Sequence, residues 1–214
     1  MFHPIFLLDI YDDRSYNNFM KKRMLKKQQI MKMSIGVMFK QGYHGTGIKD
    51  LTDAAGIPKG SLYNYFINKE DYAKEALKYY YEVMSETFMA KLSDDTLSAK
   101  ERIIIFYSSA IDNIKLNQNN YDGCFLGKMG QEMGAYNDNI QQVINDIHQD
   151  IISKIKINIE EAIKVRSINT AIDPEVLADV INSSWQGALQ SIKIRRDFEP
   201  LNNFFTILKS VLLR

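Results

Sequence analysis

The stretch Ile48–Lys69, reading IKDLTDAAGIPKGSLYNYFINK, decides the fold. Ile48, Leu51 and Ala55 recur at three- and four-residue spacing, the period of one helical face. Gly56 follows them, and glycine tolerates the left-handed backbone that a chain reversal needs. Pro58 suits the start of a second helix, where its missing N–H costs nothing. In that helix Leu62 and Phe66 lie four apart and face inward, which leaves Lys59, Ser61, Tyr63, Asn64 and Tyr65 largely outside. Two short helices joined by a tight turn, the second basic at its start and rich in hydroxyls, describe a helix-turn-helix.

Around this core lie further short motifs: Phe39-x-x-Gly42-Tyr43, Gly45-Thr46-Gly47-Ile48, Asp50-Leu51, Ala54-Ala55-Gly56-Ile57, Lys59-Gly60-Ser61-Leu62-Tyr63, Tyr65-Phe66 and Asn68-Lys69-Glu70. Together they resemble the DNA-binding domain of the TetR family of transcriptional regulators, over about a third of the chain. The resemblance implies an all-α fold of about nine helices. A three-helix DNA-binding domain at residues 20–75 would precede a helical ligand-binding and dimerisation domain at 76–214.

Composition agrees with that division. The 214 residues carry a net charge of +1, but its distribution is uneven. Residues 20–75 hold eleven Lys and Arg against five Asp and Glu, and residues 76–214 hold fifteen against eighteen. A basic module on a mildly acidic body fits phosphate binding by one end. Cys124 stands alone, so no internal disulfide forms, which points to a reducing, cytoplasmic setting. No apolar run approaches the roughly 18 residues of a membrane span, so no membrane partner is expected. Ile5-Phe6-Leu7-Leu8 is too short for a signal sequence and lacks a basic lead. Residues 1–19 read as a poorly packed extension. An arm is a second reading, and a start displaced from Met20 a third.

Outward from the motif, Met24 to Gln41 is an amphipathic helix with Ile30, Met31, Ile35, Met38 and Phe39 on its apolar face. Lys21, Lys22, Arg23, Lys26 and Lys27 open it, as a solvated start or as contacts to the DNA backbone. Asn68 caps a fourth helix, with Asp71 at the capping-box position, running to about Leu92. Further helices are expected at Leu97–Asn117, within Gly123–Met133, from Asn137 to about Arg166, from Asp173-Pro174-Glu175 to Arg196, and from Glu199-Pro200 to Leu213.

The resemblance implies DNA contacts at Thr46, Lys59, Gly60, Ser61, Tyr63, Tyr65 and Lys69. Of these, Thr46, Tyr63, Tyr65 and Lys69 would hold phosphates, while Lys59, Gly60 and Ser61 approach bases. Asn64 joins them on side-chain chemistry, since an amide can pair with a base edge. The last two helices are the expected homodimer elements. Val176, Val180, Ser184, Gly187, Ala188 and Ser191 recur at helical spacing, and Phe204, Phe205, Leu208, Val211 and Leu212 add apolar area.

For a small-molecule site, Phe106, Tyr107, Ala110, Asn113, Phe125, Met129, Met133 and Trp185 mix aromatic, thioether and amide groups as pocket linings do; each also suits ordinary core. The Gly123-Cys124-Phe125-Leu126-Gly127 opening, with Gly187-Ala188 and Lys193, resembles a TetR subgroup that includes the N-ethylmaleimide-responsive repressor. That resemblance implies a redox or electrophile sensor at Cys124 with Lys193 as its partner. A thiol at a helix start beside an ammonium is expected to have a lowered pKa; the alternative is a small buried hydrophobe.

The expected function is therefore a homodimeric repressor of a pseudo-palindromic operator in double-stranded DNA, released by a small-molecule or electrophile inducer. The alternative is a DNA-binding regulator controlled by a protein partner. An enzyme finds no support: no phosphate loop, HExxH, cysteine-rich metal spacing or nucleophile elbow occurs, and His3, His44 and His148 are scattered, surface-type residues. No metal and no cofactor are expected.

Overall fold

A computed structural model describes residues 13–117 and 123–214. The regular structure of its described residues is all helical, with no strand among them, as the periodicity requires. The helices are α1 (Asp13–Gly45), α2 (Ile48–Ala55), α3 (Lys59–Leu62), α4 (Lys69–Thr87), α5 (Ala99–Leu116), α6 (Phe125–Met133), α7 (Asp138–Lys164), α8 (Pro174–Arg195) and α9 (Glu199–Ile207). A 3₁₀ turn, Met89–Ser93, follows α4, and a π-helical turn, Leu208–Leu212, extends α9.

Helix ends coincide with residues that satisfy the orphaned backbone groups there. Asn68, Ser98, Asn137 and Asp173 cap α4, α5, α7 and α8 with side-chain oxygens that accept from first-turn amides. At α4 the carboxylate of Asp71 accepts from Ile67 N, one residue before the expected partner. Gly56 ends α2 at φ +62°, as the turn demands. Gly42 breaks α1 at φ +82°, and a side chain there would collide with the Glu132 carboxylate.

Three boundaries differ from the expected ones: α3 ends at Leu62, so that Phe66, expected on the same helix, follows it after a turn at 63–65. Helix α1 begins at Asp13 and runs unbroken through residue 20, because no glycine or proline interrupts it before Gly36. Residues 17–26 of it stand exposed. The extension at 1–19 is therefore helical from residue 13, and residues 1–12 lie outside the described part. Helix α4 stops at Thr87, since the chain tightens so that Met89 and Leu92 are buried.

Helices α1 to α4 form the head. Its core is Ile30, Met38, Leu51, Leu62, Phe66 and Tyr72, all at most 1% exposed. The Tyr72 hydroxyl pairs with Ser34 Oγ at 2.7 Å across α1 and α4. The body packs α5, α7 and α8 in layers, with α9 against α5 and α8. Inside it the Arg102 guanidinium donates to Glu161 (2.8 Å) and to the Asp94 carbonyl (2.8 Å), tying α5 to α7 and to the loop after the 3₁₀ turn. Helix α6 crosses from body to head and packs on both α1 and α7.

Candidate functional site

Two regions concern function: the exposed surface of α2 and α3, and a cavity in the body.

On the head, Leu62 at the end of α3 and Phe66 beyond it turn inward, and the start of the short α3 faces out. Lys59 and Gly60 are exposed, Tyr63 is 48% exposed, and Asn64 is exposed. Ser61, Tyr65 and Lys69 are half-buried. The Lys69 ammonium sits 4.4 Å from the Tyr43 ring centre, where burial lowers its pKa against the opposing pull of Glu132 and Asp50. Among the described residues, nothing beyond Gly60's chain neighbours and its own helix backbone lies within 4 Å of where a Cβ on Gly60 would stand, so the fold does not require glycine there.

Thr46 departs from its implied role. Its side chain is 1% exposed, and its hydroxyl donates to the Gly42 carbonyl at 2.6 Å. The reason is local: after the Gly42 break, Thr46 Oγ1 satisfies a helix-end carbonyl that would otherwise have no partner. Three of the five cations at the start of α1 are also engaged within the chain, Lys26 with the side-chain oxygen of Gln29 at 3.2 Å. Arg23 donates to the Asn64 carbonyl (2.9 Å) and so braces the end of the recognition segment. Lys27 pairs with Glu75 at 2.6 Å. Lys21 and Lys22 remain exposed.

In the body, a cavity of about 330 Å³ opens between α4, α5, α6 and α8. Phe106, Tyr107, Ala110, Asn113 and Trp185 line it, as the sequence suggested. Phe125, Met129 and Met133 do not; they are buried in core packing, with Phe125 against Phe39 and Tyr80 at ring distances of 5.5 and 5.7 Å. Among the lining residues that sequence reasoning missed are Phe39, Tyr80, Met84, Asn182 and Gln186. Three of them come from helices read only as core or connector, Phe39 on α1 and Tyr80 and Met84 on α4, while Asn182 and Gln186 sit on α8, read mainly as dimer surface. Asn182 is 3% exposed and lies 3.3 Å from Nδ1 of His148. His148 is thus half-buried, not a surface residue, and burial lowers its pKa.

Cys124 also lines the cavity, at the N-cap of α6, where its Sγ accepts from Gly127 N at 3.5 Å. The fold brings Lys193 to the same place: a Cβ on Gly123 would lie 2.6 Å from the Lys193 ammonium. The expected lowering of the thiol pKa is overturned. Burial raises it, against weaker opposing effects of the Gly127 and Leu126 amides and of Lys193. Desolvation of a thiolate outweighs one ammonium that itself remains in solvent.

Helix α6 connects both regions. Cys124 and Leu126 at its start line the cavity. One turn on, Lys128 Nζ donates to the carbonyls of Phe39 (3.0 Å) and Lys40 (2.7 Å) near the end of α1. Further along, Glu132 accepts from His44 N at 3.1 Å. The last turn of α1, immediately before the helix-turn-helix, is therefore held by the helix that walls the cavity.

Residues 30–76 match the family model for bacterial regulatory proteins of the tetR family. Residues 99–208 match the model for the tetracyclin repressor-like C-terminal domain, half of the chain by itself. The chain belongs to the TetR family. It is a DNA-binding transcriptional regulator of the helix-turn-helix type. It is 28% identical over 187 residues to the HTH-type transcriptional repressor DhaR of Mycobacterium sp. strain GP1, covering 87% of this chain and 92% of that one. It is 24% identical over 172 residues to the HTH-type transcriptional repressor NemR of Escherichia coli K12, covering 80% and 86%. The crystal structure of reduced E. coli NemR superposes with a TM-score of 0.80 at 22% identity, over 87% of this chain and 96% of that one, which supports the shared fold. Among the described residues no helix of this TetR-family chain is long and apolar enough to cross a membrane.

Proposed function

We propose that the chain is a homodimeric repressor that leaves its operator when a small molecule enters the body cavity. The observation that carries this is the double duty of α6: nine residues wall the cavity at one end and grip the end of α1 at the other. A ligand that displaces Cys124 or Leu126 shifts the support of the helix-turn-helix. Because two heads must meet major grooves about 34–36 Å apart, a small change in their spacing weakens binding. A 100-fold loss of affinity needs only about 2.7 kcal/mol of preference for the non-binding conformer.

Lys59, Gly60, Ser61, Tyr63, Asn64, Tyr65 and Lys69 form the proposed DNA surface, without the buried Thr46 side chain. The proposed dimer surface is the outer face of α8. Val176 (55% exposed), Val180 (42%), Ser184, Gly187 and Ile194 (74%) form a solvent-facing stripe of small and apolar residues, with Ile207 and Val211 beside it on α9 and its extension. Such a stripe permits close helix approach in a two-fold pair. Ala188, Phe204 and Leu208, also expected at the interface, are buried within the chain. Both of the relatives above are repressors by name, which favours repression over activation.

An electrophile is a second class of inducer. Cys124 lines the cavity and Lys193 reaches the adjacent Gly123, so an electrophile held there meets the thiol.

A gel shift on the DNA upstream of the chain's own gene tests the proposal. Salt-sensitive binding by the dimer is expected; its absence would end the repressor assignment. Loss of release by N-ethylmaleimide in Cys124→Ser would assign induction to the thiol, and unchanged release would exclude it.

A further inference from the structure

We propose that the cavity is built for an uncharged, largely apolar effector carrying one hydrogen-bond acceptor, and that the hydroxyl of Tyr107 is its anchor. The proposal rests on the cavity being the effector site, as argued above.

Tyr107 lies on α5, is 0% exposed, and lines the cavity. Its ring is clamped by Phe106, Trp185 and Phe204, with centroid distances of 4.7, 5.3 and 4.9 Å. Among the described residues its hydroxyl is the only buried side-chain polar atom without a hydrogen-bond partner. A buried hydroxyl left unpaired is costly, and native cores rarely keep one without a role. Burial also holds the phenol far above its ordinary pKa, so at neutral pH it is a donor. A ligand oxygen in the adjoining space would supply the missing acceptor with little rearrangement of so tightly held a ring.

The remaining lining limits the ligand's charge. The described walls contain aromatic, aliphatic, amide, hydroxyl and thiol groups, and no carboxylate, ammonium, guanidinium or imidazole. An ion placed there would lose its hydration without a counter-charge in the walls. Lys193 lies outside the lining, beside Gly123, and is exposed to solvent. About 330 Å³ is at the lower end of the range for drug-sized ligand sites.

Three probes of similar skeleton separate these features: benzophenone (neutral, with a carbonyl acceptor), diphenylmethane (neutral, without one) and diphenylacetate (anionic). Trp185, the single tryptophan of the chain, lines the cavity and reports binding to the full-length protein by its fluorescence. Benzophenone is expected to bind about fivefold tighter than diphenylmethane, the worth of one hydrogen bond. Diphenylacetate should bind at least tenfold more weakly than benzophenone. In Tyr107→Phe the preference for benzophenone over diphenylmethane should vanish. The melting temperature of that unliganded variant should equal or exceed the parent's, because the orphaned hydroxyl is gone. If the neutral probes bind but the preference is absent, or survives in Tyr107→Phe, the anchor is refuted while the cavity stands. Tightest binding by diphenylacetate overturns the neutral-ligand assignment. Binding by none of the three removes the cavity itself as a small-molecule site, and the proposal with it.

Discussion

The Lys128 ammonium lies 2.7 Å from the Lys40 carbonyl oxygen, a bond between residues 88 positions apart. It caps the end of α1 from outside, where the break at Gly42 leaves carbonyls without helical partners. This contact joins the body to the head at the residues that orient α2 and α3. In Lys128→Met the aliphatic volume stays and the cap is lost. Operator affinity is expected to fall about tenfold, with a stability loss of about 1 kcal/mol because the group is partly solvated. Fluorescence anisotropy on labelled operator and urea unfolding would separate the two effects; equal operator affinity would show that α6 does not position the head.

Gly60→Ala offers a clean test of the DNA surface. Beyond its chain neighbours and its own helix backbone, the added methyl meets no atom of the described residues. Folding stability is expected to stay level or rise by up to about 1 kcal/mol, since alanine is the better helix residue. Operator binding is expected to weaken at least tenfold, because the methyl takes space required by a base edge. Unchanged binding would move the interface away from α3.

Lys59→Gln removes an exposed cation at the start of the same helix. If Lys59 meets a phosphate, the slope of log affinity against log salt should become shallower by about 1 per head, and binding should weaken on all sequences alike. If it reads a base instead, the loss should be concentrated on the true operator. No change in either quantity would remove Lys59 from the contact set.

Tyr72 gives the head an alkaline limit. Its folded pKa is pushed up to about 12 by burial, against the ordinary 10.0, and Ser34 only partly offsets this. Between these values the unfolded chain releases the proton and the folded chain keeps it, so stability falls as pH rises from about 10 towards 12. The full loss approaches about 2.7 kcal/mol. Tyr72→Phe should flatten part of that alkaline slope in urea unfolding. A variant with the parent's slope would show that Tyr72 is not responsible.

At the acid side His148 acts in the opposite direction. Burial lowers its pKa from 6.5, and Asp179 only partly restores it. The unfolded chain takes up the proton first, so stability is full above about 6.5 and declines as pH falls below it. His148→Gln should flatten the unfolding free energy between pH 6.5 and 5, where few carboxylates yet titrate. A profile that keeps its slope would assign the loss to other groups.

Much of this molecule was determined by the sequence itself. The period of apolar residues fixed the helices, and Gly56, Asn68 and Asp173 marked their ends, because capping is a local interaction between residues a few positions apart. The inward turn of Leu62 and Phe66, and with it the outward face of α3, followed from a spacing of four. Tertiary structure decided which apolar residues wall a cavity and which fill a core. Phe106 and Phe125 look alike in sequence, yet one lines empty space and the other packs between Phe39 and Tyr80. It also decided that Thr46 turns inward, that the Cys124 thiol is raised by burial, and that Lys128 reaches Lys40. The physical reason is range: periodicity and caps act within one or two helical turns, whereas desolvation and cavity shape are set by side chains from distant segments that only the folded packing brings together.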